Sequence, residues 1–211
     1  MKVIKFLRYL IETIIIVFFF LIFKTIGLKK SSFISGKIFM TLGKFFRSQK
    51  KIEDNLQIAF PNLTDNEIRS YISEMWNYYG KVFAEYIFLN DLRKNEKENI
   101  KIYGIDILDK IKNDNEKVIF ISGHFDNFEL MAMYLEKSGI KLSAVYRPLN
   151  NYFMNEIMER LRVKYICKKQ IKKGKVGLRD SLRLFKEGYS VALMIDQRVS
   201  EGSKVKFFNR E

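Results

Sequence analysis

Residues 118–130, VIFISGHFDNFEL, constrain the fold more than any other stretch of this chain. Residues 118–121 are β-branched or aromatic and specify a buried strand. Ser122 and Gly123 interrupt the run, and Asp126 or Asn127 is placed to cap a helix over residues 128–137. A strand feeding a helix through a short polar turn is half of a strand–helix–strand unit, and the pattern continues downstream. Residues 142–146 read as a second strand, 152–161 as a helix, 164–167 as a short third strand, 176–187 as a helix stopped by Gly188, and 191–195 as another buried strand. Alternation of this kind predicts an α/β fold: a mainly parallel central sheet flanked by helices, with functional loops at the carboxyl ends of its strands. His124, Arg147 and Asp196 each follow such a strand, which predicts one shared site.

His124 is the only histidine. A neutral imidazole can take a proton from a hydroxyl, and a carboxylate can hold its tautomer and stabilise the imidazolium. Glu129 is the carboxylate near in sequence. Five helical residues turn through about 500°, so two such positions on one helix point about 140° apart. The two side chains can meet only if His124 lies in the loop and Glu129 in the first helical turn. The competing reading makes Asp126 and Glu129 a capping box and His124 an incidental loop residue. Arg147 is placed to polarise a carbonyl or clamp a phosphate, or else to form an ion pair with Asp196. No Gly-x-Ser-x-Gly elbow is present, and one histidine with one cysteine predicts no metal site. Cys167, standing alone, excludes an intrachain disulfide and reads as a small core residue.

The first 50 residues have a different character. Lys2, Lys5 and Arg8 precede an apolar run over residues 13–23, and extension to residues 9–27 reaches spanning length at the cost of including Glu12 and Lys24. Residues 25–30 make a poor signal-cleavage site, which favours an uncleaved anchor, either spanning or lying in the interface. Residues 1–50 hold ten Lys/Arg and one acid, as do residues 161–186, so the overall +14 is concentrated in two blocks. Phe33, Ile34, Ile38, Phe39, Leu42, Phe45 and Phe46 recur at helical spacing among the first block's lysines, as in a basic amphipathic helix suited to an anionic membrane surface. The alternative is that this apolar face packs on the protein's own core. Basic residues beyond the anchor outnumber those before it, which places the body in the cytoplasm. Adjacency to the anchor makes lipid, not nucleic acid, the expected polyanion. The expected division is an anchor and amphipathic helix over residues 1–50 and an α/β domain over residues 51–211. Within that domain, Thr64 and Glu67 signal a helix start, the aromatics from Tyr71 to Phe88 read as core or as the wall of an acyl-chain pocket, and residues 91–98 read as a charged linker.

Four ordered elements carry a family resemblance. GHFDNFE at residues 123–129 is similar to the Gly-His-Phe-Gly-Asn-Trp-Glu motif of the lipid A biosynthesis acyltransferases, the late lauroyl/myristoyl transferases. NLQIAFP at 55–61, YRPLNN at 146–151, and Asp196-Gln197 with VKFF at 205–208 resemble that family's other elements. The resemblance implies a glycerolipid-acyltransferase-like fold and an acyltransferase at the cytoplasmic face of the bacterial inner membrane. Its co-substrate would be acyl carrier protein or acyl-CoA, its acceptor a hydroxyl of a lipid A precursor, and it would need no cofactor. By the same resemblance His124, Glu129 and Arg147 are catalytic, and Asn127, Asp196 and Gln197 bind substrate. Asp126 stands in place of a motif glycine, Phe128 in place of tryptophan, and Asn209 in place of a glycine; the chain ends at Glu211, where family members continue, so a carboxyl-terminally incomplete domain is expected. The alternatives are acylation of another glycolipid or phospholipid, or a non-catalytic membrane-bound remnant.

Overall fold

A computed structural model describes residues 2–197. The sequence elements at residues 205–208 and Asn209 lie outside the described residues.

The chain opens with two helices, α1 (Lys2–Ile26) and α2 (Leu28–Leu42), broken by Gly27 at φ 84°, a left-handed conformation that glycine adopts without a Cβ penalty. Ser31 closes the corner by donating to the carbonyls of Phe23 and Gly27. After α3 (Gln49–Ala59) comes α4 (Asp65–Glu85), started by the expected capping box of Thr64 and Glu67. Residues 91–98 are no linker. Apart from Asn95 they lie within α5 (Leu89–Lys94) and α6 (Glu96–Asn99), because Leu89 and Leu92 are buried and Arg93 and Glu96 pair with Glu136 and Lys137. Helix α7 (Ile105–Asn113) completes this helical layer.

The α/β part follows as β1 (Ile119–Ser122), α8 (Glu129–Lys137), β2 (Leu142–Tyr146), α9 (Tyr152–Tyr165), β3 (Lys169–Lys172), α10 (Lys175–Lys186) and β4 (Ser190–Met194). All pairings are parallel, in the order β1-β4-β2-β3. The right-handed crossover rule then puts α8 and α9 on one face and α10 on the other. The strand expected at residues 164–167 is not formed. Helix α9 runs on to Tyr165, and the chain pairs only from Lys169, after Cys167 has been buried with its thiol donating to Leu142 O. Nor is β1 the fully buried strand expected. It is an edge strand whose Phe120 side packs on the core, while Ile119 and Ile121 are each 58% exposed on the face that α10 does not reach.

One apolar cluster joins both parts, running from Phe20 and Phe23 of α1 through Leu89 and Met133 to Leu142 and Ala192 of the sheet. A second gathers Ile52, Ile68, Ile72 and Trp76 between α3 and α4. The amphipathic segment around α2 is inverted relative to a water-soluble helix. Its buried face is Ser31, Ser35 and Gly36, whereas Phe33, Ile34 and Leu42 are exposed, as are Phe45 and Phe46 beyond it.

Candidate active site

The loop between β1 and α8 and the loop after β4 meet at the carboxyl edge of the sheet, because β1 and β4 are neighbours with Ser122 opposite Met194. Here the Asp196 carboxylate holds His124 at two points. Oδ2 accepts from the His124 backbone N–H at 2.7 Å, and Oδ1 lies 2.7 Å from the ring Nδ1. Gly123 permits the approach, since a Cβ there would lie 3.2 Å from Asp196 Oδ2 and 2.8 Å from the Phe125 ring. Desolvation pushes the Asp196 carboxyl upward, but the hydrogen bonds and charge of His124 outweigh it and hold the acid below its ordinary value. An ionised carboxylate only accepts, so Nδ1 carries the proton. When the imidazole is neutral, the lone pair is then on Nε2, which lies 3.2 Å from the Gln197 side-chain amide nitrogen and in that form accepts its N–H. The Phe128 ring meets the imidazole edge-on at 4.5 Å between centroids.

The expected pairing of His124 with Glu129 is replaced by this one. Both ring nitrogens are occupied by other residues, and Glu129 points into the core. Its Oε1 accepts from Arg162 Nε at 2.8 Å and from the Tyr86 hydroxyl, while Arg162 Nη2 also donates to the Tyr86 oxygen at 2.9 Å. Glu129 is 7% exposed and Arg162 9%, so this is a buried ion pair bridging α8 and α9, with Tyr86 at the end of α4. Burial, then the Glu129 charge, pushes the Tyr86 phenol far above its ordinary value. The capping box of Asp126 and Glu129 is also absent. Phe128 occupies the cap position without a side-chain bond, and Asp126 adopts φ 43°. That left-handed backbone is what a glycine would supply, and aspartate is among the few other residues that enter it.

The other expected residues separate. Asn127 turns away from His124 and donates to Glu85 Oε2 at 2.8 Å, while Ser32 of α2 donates to Oε1 of the same carboxylate. Arg147 lies at the same sheet edge but two strands from β1, about 10 Å along the sheet by strand spacing. It is exposed and makes no hydrogen bond or ion pair among the described residues, so the pairing with Asp196 is not formed. Cys167, pushed up to about 11 by burial, is a core thiol.

The profile of the bacterial lipid A biosynthesis acyltransferases matches residues 2–211. The chain belongs to this family. Among curated relatives, the lipid A biosynthesis acyltransferase 2 of Shigella flexneri is 23% identical over 167 residues, 77% of this chain and 52% of the relative. The lipid A biosynthesis myristoyltransferase of Escherichia coli (strain K12) is 28% identical over 131 residues, 59% of this chain and 40% of the relative. The chain spans about half the length of the curated relatives it matches.

For this member of the family, sequence reasoning missed Arg162, Tyr86 and Glu85. Arg162 carried a legible signal, because it continues the buried stripe Met154–Met158 at a spacing of four. An arginine on the apolar face of a helix demands a buried acid. Tyr86 and Glu85 carried none; they lie about forty residues from partners that only the tertiary fold brings near.

Proposed function

We propose that the chain is a membrane-associated acyltransferase that moves a fatty acyl group from acyl carrier protein, or from acyl-CoA, to a hydroxyl of a lipid A precursor, with His124 as general base. The observation that carries this reading is the Asp196–His124 arrangement, which leaves the Nε2 lone pair facing a side chain that substrate can displace. A hydroxyl in place of the Gln197 amide gives its proton to Nε2 as its oxygen attacks the thioester carbonyl carbon. The C–S bond then breaks, and the imidazolium returns the proton to the departing thiolate. Asp196 stabilises the imidazolium between these steps, the role first expected of Glu129. Arg147, exposed and without a partner among the described residues at the same edge, would polarise the carbonyl or hold a phosphate of the acceptor. The apolar α1 is the one described helix both long and apolar enough to cross a membrane, and with the basic residues of α2 it supports a membrane location, with the body on the cytoplasmic side.

The test is acyl transfer in membranes bearing the whole chain. His124→Ala should lower the rate by roughly 10²–10⁴-fold. Asp196→Asn should also lower it, because an amide keeps one acceptor and loses the backbone clamp. A His124→Ala rate within about a tenth of the original would overturn the assignment of the base. A drop for Glu129→Gln without one for Asp196→Asn would return the orienting role to Glu129.

A further inference from the structure

The two faces of α1 have opposite fates. Tyr9, Thr13, Phe20 and Phe23 are buried against the body. Val3, Leu7, Ile11, Ile14, Phe18 and Leu21 are exposed. At 100° per residue the second set forms one stripe centred opposite the first. Lys5, Arg8, Glu12 and Lys24 all project from the body side and flanks, so no charge interrupts the outward stripe.

Docking extends along nearly the whole helix. Near its start, Phe6 meets Phe153 and Tyr9 meets Tyr152 at centroid distances of 5.5 and 5.8 Å. Asn151, at the cap of α9, donates to Tyr9 O and to Glu12. Near its end, Phe20 meets Phe83 at 5.1 Å and Lys24 pairs with Asp91 at 2.6 Å. From residue 6 to residue 24 a helix rises about 27 Å, nearly the thickness of a bilayer's hydrocarbon core. If α1 crossed the membrane in this docked state, Asp91, Glu12 and the cap of α9 would be drawn through hydrocarbon, where ionised groups are costly.

We propose that α1 does not span the membrane but lies in its plane, with the stripe from Val3 to Leu21 sunk among the acyl chains and the body docked beneath it. The inference rests on the functional reading only in taking the membrane as partner. The occupant is the lipid surface, because a wholly apolar stripe is flanked by cationic residues and followed by the exposed Phe33, Phe45 and Phe46 beside Lys29, Lys30, Lys37 and Lys44. The arrangement would hold the His124 edge at a fixed height relative to lipid.

Spin labels at Leu7→Cys, Ile14→Cys and Leu21→Cys test it, each in a Cys167→Ala background, with the full chain in vesicles of phosphatidylethanolamine and phosphatidylglycerol. All three positions lie on the exposed stripe, so labelling leaves the packed face intact. An in-plane helix gives three equal depths. A spanning helix places successive labels about 10 Å apart in depth, seven residues at 1.5 Å each. Such a gradient, or three labels open to aqueous quencher, overturns the proposal. A short thiol cross-linker across Phe6→Cys and Phe153→Cys in the same vesicles should join the two positions, and failure to do so would show that α1 leaves the body. Neither measurement needs acyl transfer, so an inert chain with three equal depths would overturn the functional reading alone.

Discussion

Glu129 sits in the family motif, and its carboxylate pairs with Arg162 and Tyr86 away from solvent. A buried ion pair is costly to assemble and more costly to break, since the surviving charge is stranded. Arg162→Met should therefore destabilise the fold by about 3–5 kcal/mol. Arg162→Met combined with Glu129→Leu should be less damaging than the sum of the two single changes. Chemical denaturation of the four proteins measures this coupling, and simple additivity would show that the pair is not energetically linked. His124, by contrast, gains position through a carboxylate in the loop after the neighbouring strand, and Asp126 supplies a left-handed backbone beside it.

Between elements, α2 and α4 pack backbone against backbone. A Cβ at Gly80 would lie 2.4 Å from Ser35 O and 2.8 Å from Gly36 Cα, and one at Gly43 would enter the Trp76 ring. Small residues at the contact let two backbones meet, as in helices packed within lipid, and the large apolar side chains of α2 are turned outward. Gly80→Ala would gain about 1 kcal/mol of helix propensity. The forced separation should cost about 1–3 kcal/mol. A net loss of stability, larger again for Gly80→Val, is expected from thermal unfolding in detergent. An unchanged or raised midpoint for Gly80→Ala would show that the contact yields freely.

Across the whole molecule, Glu85 is where the amino-terminal helices, α4 and the motif loop are tied together. It accepts from Ser32 on one oxygen and from Asn127 on the other. Desolvation raises its pKa above the ordinary value, and the two hydrogen bonds only partly offset that. A carboxyl raised by folding contributes stability below its unfolded value of about 4.3, and that contribution is lost as pH rises through the folded value. Glu85→Gln removes the titration. The stability of the original chain relative to Glu85→Gln should thus fall as pH increases from about 4. Parallel denaturation curves over that range check it, and a constant difference would show that the site does not titrate on folding. Because Phe20 and Phe23 enter the same core as the sheet, α1 is part of the fold.

Local pattern determined the strand–turn–helix unit at residues 118–137, the parallel α/β order, the Thr64 start of α4, and a single apolar helix before Gly27. Each rests on periodicity or on contacts a few residues apart, which chain stiffness and hydrogen bonding decide locally. The strand–helix pattern also placed His124, Arg147 and Asp196 at strand ends. Tertiary structure decided which carboxylate serves the histidine. Strand β4 pairs with β1 across seventy residues, delivering Asp196 to the ring, while the buried guanidinium of Arg162 draws Glu129 inward. It also decided the open face of β1 and the outward phenylalanines of α2. Those depend on which surface a neighbour covers, and burial, unlike periodicity, is a property of the assembled layers.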